Sequence, residues 1–107
     1  MKFIAFALVS LGFASFSHAS QIDGFAGTFS SFDPTVYCNV HIEVVNSRQL
    51  FYNFVGHPVC SNMSGHFADC RGNRCTDELR NVLVFLPDGN MVLHYRSGFA
   101  HKNWRIQ

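Results

Sequence analysis

The chain has 107 residues, of which 48% are hydrophobic, 15% aromatic and 14% charged, and its formal net charge is +1. That length allows one domain with a modest core, the kind that often needs covalent constraint. The near-neutral balance argues against a nucleic-acid partner, which rewards clustered lysine and arginine through counterion release.

The first nineteen residues read as a leader rather than as part of the fold. Met1-Lys2 is a short basic start, Phe3 to Phe16 is almost wholly apolar, and Ser17-His18-Ala19 sets small residues where a signal peptidase reads. The three-part pattern predicts a secretory signal over residues 1–19, cleaved after Ala19. The apolar run falls short of the roughly 20 residues that span a bilayer, so no membrane attachment is expected after cleavage. The mature domain is then 20–107. Loss of Lys2 leaves seven basic and seven acidic residues, with six of the basic ones after Cys70.

Beyond the leader the dominant hydrophobic period is two. A first strand is expected from Phe25 to Phe32, before the Asp33-Pro34 break. Val36 to Val45 is the clearest strand: Val36, Cys38, Val40, Ile42 and Val44 fall on one face, and Tyr37, Asn39, His41 and Glu43 on the other. That alternation describes a half-buried antiparallel strand. Asn46-Ser47-Arg48 reads as a turn, and Leu50 to Val55 as a third strand ending at Gly56-His57-Pro58. Ser61 to Asp77 reads mostly as loop, with a short strand at His66 to Ala68. Asp77 to Arg80 suits one helical turn capped by Thr76. Pro87-Asp88-Gly89-Asn90 between Val82–Leu86 and Met91–Arg96 predicts a β-hairpin. A last strand is expected over Lys102 to Ile106, with Trp104 and Ile106 on one face.

Short strands, close turns and no amphipathic helix predict an all-β antiparallel meander that closes into a small barrel or a sandwich to hide its edges. Core packing is the expected role of the phenylalanines, among them Phe25, Phe29, Phe32, Phe51, Phe54, Phe67, Phe85 and Phe99; a lined ligand cavity is the alternative. Cys38, Cys60, Cys70 and Cys75 remain after cleavage, and an even count in an exported domain reads as two disulfides with three connectivities open. Cys38–Cys60 with Cys70–Cys75 is the favoured set, because Gly72-Asn73 suits a tight turn between the second pair.

The chemistry-bearing residues form no familiar constellation. There is no Gly-x-Ser-x-Gly elbow and no His-Glu-x-x-His, and Asp77 and Glu78 are adjacent, so on a strand they face apart. His41, His57, His66, His94 and His101 read as surface or pocket-rim histidines. Cys60, His66, Cys70 and Cys75 are zinc-ligand types, yet their spacing fits no standard finger, and an oxidising compartment favours disulfides. Four residues between Cys70 and Cys75 also depart from the two of an exchange motif. No catalytic residue, metal or cofactor is therefore assigned, and the chain is read as a binding protein rather than an enzyme. Asp88-Gly89-Asn90-Met91-Val92 echoes part of the bulb-lectin motif, but Leu86 and His94 stand where that motif needs Gln and Tyr. Asn62-Met63-Ser64 is a glycosylation sequon in a suitable host.

Three stretches carry a resemblance. Phe25-Ala26-Gly27-Thr28-Phe29 resembles the Gly-x-aromatic opening strand of calycin barrels. Cys38-Asn39-Val40-His41-Ile42 is similar to the second strand of the small bacterial metalloprotease inhibitors with that fold, whose cysteine pairs with another some twenty residues on, where Cys60 stands. The Asp88-Gly89 hairpin also falls where that family has one. Phe29 stands where tryptophan is usual, and the Cys70–Cys75 loop is extra. The resemblance implies an exported monomeric barrel whose N-terminal arm, here Ser20, Gln21, Ile22 and Asp23, enters the cleft of a secreted zinc protease. The competing expectations are a carrier of a small apolar ligand in an aromatic-lined barrel and, last, an enzyme using histidine and acidic residues.

Overall fold

The structure, a computed structural model, describes residues 22–107; the expected leader, Ser20 and Gln21 lie outside the described residues. A 3-10 turn at Ile22–Phe25 leads into β1 (Gly27–Ser31), β2 (Asn39–Asn46) and β3 (Gln49–Val55). A second 3-10 turn at Cys60–Asn62 precedes β4 (His66–Arg71), β5 (Arg74–Asp77), β6 (Val82–Phe85), β7 (Met91–His94) and β8 (Ala100–Arg105). Each strand pairs antiparallel with the next, and β1 pairs with β8, so the meander closes into an eight-stranded barrel. The seam sets Phe29 opposite Arg105, Ser30 opposite Trp104 and Ser31 opposite Asn103.

Alternation decides what the barrel holds. Val40 and Ile42 of β2 point in while Glu43 points out, and Leu50, Tyr52 and Phe54 of β3 point in between half-exposed Phe51 and Asn53. Ala68, Cys75, Leu83, Phe85, Met91 and Leu93 continue the same packed cluster around the barrel, with Phe29 from β1. A barrel of eight strands is just wide enough to be filled this way. Each large apolar side chain taken fully inside contributes about 1.5–3 kcal/mol relative to exposure. Phe29, Leu50, Leu83 and Leu93 are each 0% exposed.

The turns follow from local chemistry. β4 and β5 are joined by the two residues Gly72-Asn73, and Gly72 takes φ +59 at the first of them, as a type II′ hairpin requires. At the β6–β7 hairpin, the amide of Asn90 donates to the Asp88 carboxylate at 3.0 Å and the amide of Gly89 to the Leu86 carbonyl at 3.1 Å. The two disulfides are Cys38–Cys60 and Cys70–Cys75; the second bridges directly opposed residues of β4 and β5.

Several expectations are corrected in detail. Phe25 leaves the first strand and stacks on Phe85, ring centroids 3.9 Å apart. β2 starts at Asn39, not Val36, whose amide instead donates to the Asp33 carbonyl in a turn. The stretch read as loop contains β4 and β5 in full, and no helical turn follows them. The side chain of Asp77, not Thr76, accepts the amides of Leu79 and Asn81 there, at 2.9 and 2.8 Å. Of the phenylalanines assigned to packing, Phe29, Phe54 and Phe85 are buried, but Phe32, Phe67 and Phe99 stand on the outside.

Candidate functional site

A meander places alternate connections at opposite ends of the barrel. The first 3-10 turn lies at one end with the β2–β3, β4–β5 and β6–β7 turns; the β1–β2, β3–β4, β5–β6 and β7–β8 connections gather at the other. These are called the amino end and, after the Cys38–Cys60 bridge it carries, the disulfide end; the Cys70–Cys75 bridge sits beside the β4–β5 turn at the amino end.

At the amino end, Ile22 is buried and the Phe25 ring covers Phe85. The Arg105 guanidinium donates to the carbonyls of Ala26 and Gly24, the latter at 2.7 Å, and its carbon lies 4.7 Å from the centre of the Phe29 ring. One arginine therefore ties the first turn to the barrel through two bonds and a cation–π contact. Gly27 makes this possible. At φ +146, a Cβ on it would run into the Arg105 guanidinium and the Gln107 carbonyl. Beside the clamp lies an open depression of about 310 Å³, lined by Phe25, Phe85, Leu86, Asn73, Asn90 and Arg105 among others.

The disulfide end is polar inside. The Tyr52 hydroxyl donates to the Asp77 carboxylate, which also accepts the Asn81 side-chain amide at 3.0 Å. With the two backbone amides, Asp77 receives four donors, the capacity of a carboxylate. Burial, and next the adjoining Asp77, push the Tyr52 phenol well above its ordinary value. His66 Nδ1 sits 2.5 Å from Glu78 Oε1, and the His66 ring lies 5.7 Å from that of Tyr52.

A second polar chain runs through β8. The Asn103 side-chain nitrogen donates to the His101 carbonyl at 3.0 Å, so its oxygen faces His101 Nδ1, also at 3.0 Å. His101 Nδ1 then carries the proton, and Nε2 accepts from the Tyr95 hydroxyl at 3.1 Å. Burial lowers the His101 pKa below its ordinary value, partly offset by Asn103 and by Asp33. In both chains the lone pairs and protons are spent on neighbouring protein groups, an arrangement that fixes side chains in place.

The residues singled out from sequence do not meet in one cleft. His41 lies on the outer surface, 3.3 Å from Glu43 and 2.9 Å from the Thr28 hydroxyl. His57 belongs to the β3–β4 connection, where it accepts the Val59 amide and packs on Tyr37. His94 is exposed on β7, and only His66 and His101 face inward. The sulfurs of Cys60, Cys70 and Cys75 are all in disulfides, and among the described residues no three histidine, cysteine or acidic side chains are grouped to hold a metal. Of the arm residues, Ile22 and Asp23 form part of the first 3-10 turn, Ile22 buried and Asp23 exposed. Sequence reasoning missed Asp77 with Tyr52, and His101 with Asn103; the second pair was visible as polar residues two apart in a strand.

No family model, no curated protein and no solved structure matches this chain.

Proposed function

We propose that the mature chain is an exported binding protein and, most concretely, an inhibitor of a secreted zinc protease that acts through the residues ahead of Ile22. The observation that supports this is the clamp at the amino end. Ile22 is buried and Arg105 holds the carbonyls of Gly24 and Ala26. Cleavage after Ala19 would make Ser20-Gln21 the chain start next to that fixed base in sequence. A short peptide held at its base loses less freedom on entering a cleft than one on a loose tether. The new terminal amine and the Ser20 hydroxyl are both chemically able to face zinc. Ile22 belongs to the base of this arm, so the working part is Ser20-Gln21. The packed axis of Leu50, Tyr52, Leu83 and Leu93 weighs against the carrier, which needs that space for its ligand.

The test compares protein beginning at Ser20 with protein beginning at Ile22, against a panel of secreted zinc proteases. Both forms should unfold at the same denaturant concentration. The shorter should inhibit about tenfold less or worse, the equivalent of ~1.4 kcal/mol of binding. Equal inhibition by the two forms, or no inhibition by either, would overturn the reading.

A further inference from the structure

Two arginines of the β4–β5 hairpin serve neither the barrel core nor the clamp. Arg71 ends β4, Arg74 begins β5, and the two stand directly opposite each other. On the next rung Cys70 and Cys75 turn toward the core and are bonded to each other, so both arginines belong to the outer face, where both are exposed. With Asp69, Thr76 and Asp77 they line an open depression of about 390 Å³. The hairpin tip is fixed by the disulfide, by the Phe85 amide on the Asn73 carbonyl at 2.8 Å and by the Asn73 side chain on the Phe85 carbonyl at 3.0 Å. The Cys70 amide donates to the Arg48 carbonyl at 2.8 Å, which brings the β2–β3 turn and exposed Arg48 alongside. Among the described residues, neither Arg71 nor Arg74 is ion-paired. The acidic residues that follow them in the chain are engaged elsewhere: Asp77 with its four donors, Glu78 with His66, and Asp88 with the Asn90 amide. Asp69 shares the depression and accepts from the Gln49 side chain at 3.5 Å, but one carboxylate against two guanidiniums leaves the place positive.

The geometry points to a binding site for a phosphate group, held between Arg71 and Arg74 on the outer face of the hairpin. Like charges directly opposite on a sheet repel, and an anion set between them removes that repulsion. A carboxylate is filled by a single guanidinium through two parallel bonds. Two guanidiniums offer two such forks, and a phosphate monoester or inorganic phosphate answers them with at least three acceptor oxygens and a charge of about −1.5 to −2. Thr76, next to Arg74 on the same face, adds a hydroxyl to the depression. The hairpin is tied before the ligand arrives, so little backbone freedom is lost on binding. The inference uses the barrel and the Cys70–Cys75 link and is independent of protease inhibition.

The experiment titrates the oxidised protein with sodium phosphate, glycerol phosphate and sodium acetate at constant ionic strength, following backbone amide and arginine Nε–H resonances by NMR. The expected result is saturable shifts centred on residues 69–76 with both phosphates, and binding of acetate about tenfold weaker or worse. Arg71→Gln and Arg74→Gln should each weaken phosphate binding about tenfold, while Arg96→Gln, in the β7–β8 connection at the other end, should leave it unchanged. Both hairpin variants lose a repulsion and should fold at least as stably as the parent. Arg74→Lys keeps the charge but not the fork and should bind phosphate more weakly than the parent. Acetate binding as tight as phosphate, shifts equally strong at Arg80, Arg96 and Lys102, or unchanged binding by the two glutamine variants would overturn the site; full binding by Arg74→Lys would overturn the forked contact. Sedimentation with phosphatidylcholine vesicles, with and without phosphatidic acid, separates the sources. Retention by phosphatidic acid that is lost in Arg71→Gln assigns the phosphate to a lipid headgroup, and its absence alongside saturable glycerol phosphate binding assigns it to a soluble ligand.

Discussion

The Asp77 side chain is the most heavily committed polar group inside the barrel, and its removal should be the costliest single polar change. Asp77→Ala takes from the Tyr52 hydroxyl, on a residue 1% exposed, the carboxylate that accepts its bond. An unsatisfied buried donor costs about 1–3 kcal/mol. The Asn81 amide is only partly buried and loses a second bond, adding about 1 kcal/mol. The Leu79 amide belongs to an exposed residue, where water can take over. The expected loss is therefore about 2–4 kcal/mol, a large share of the 5–15 kcal/mol typical of a domain. Tyr52→Phe removes the same bond from the other side but leaves the carboxylate its three remaining donors, so it should cost only about 1–2 kcal/mol. In the double variant no orphaned hydroxyl remains, and the two effects should overlap by about 1–2 kcal/mol. Urea melts of the oxidised protein, followed by circular dichroism and by the fluorescence of Trp104, the chain's one tryptophan, give all four corners of the cycle. An Asp77→Ala midpoint within error of the parent, or strict additivity in the double variant, would refute the account.

Three other outcomes follow from the geometry. Replacing Cys38 and Cys60 by alanine opens a link across 22 residues and should cost about 3.4 kcal/mol on the chain-entropy relation, whereas opening the five-residue Cys70–Cys75 link should cost about 2 kcal/mol; equal losses in urea melts would contradict the ranking. Because burial lowers the His101 pKa, the unfolded chain takes up the proton more readily. The His101 contribution is thus complete above the unfolded value near 6.5 and is lost as pH falls below it. His101→Gln should flatten the stability profile between pH 7.5 and pH 5, and an unchanged slope would speak against the buried neutral imidazole. Arg105→Ala should release the first turn while the barrel stays closed. Faster exchange of the amides of residues 24 to 28, with β2 to β7 still protected, is the expected signature, and uniform protection would show that the clamp is dispensable.

Where the sequence could be read and where it could not comes down to which contacts fix each element. β2 and β3 pair with each other over most of their length and bury one face, so the period of two is strong in their residues. The β6–β7 hairpin was legible from Pro87-Asp88-Gly89, whose backbone preferences act locally. β5 was not. Arg74-Cys75-Thr76-Asp77 contains one sulfur and three polar side chains, and it is a strand because β4 and β6 pair with it on both sides. Phe25 continued the apolar pattern of β1, but the backbone departs from it at Gly27, and the ring is captured by Phe85, sixty residues away. The polar interior shares that difficulty. Asp77 reads as a turn residue until Tyr52, twenty-five positions earlier, is known to face it. The clamp is a similar case, since nothing near Arg105 in the chain announces the carbonyls of Gly24 and Ala26.

The seam between β1 and β8 carries a consequence for biogenesis. Three rungs join Phe29, Ser30 and Ser31 to Arg105, Trp104 and Asn103, so the first strand to emerge cannot find its second neighbour until almost the whole sequence has been delivered. The β4–β5 hairpin with its short disulfide can form early, but until β8 arrives the growing sheet shows two bare edges to its surroundings. A neighbouring molecule's β8 offers the same three rungs. Crowded or interrupted synthesis should therefore yield strand-exchanged dimers, while a chaperone that holds the β1 edge until the last strand appears should yield closed monomers.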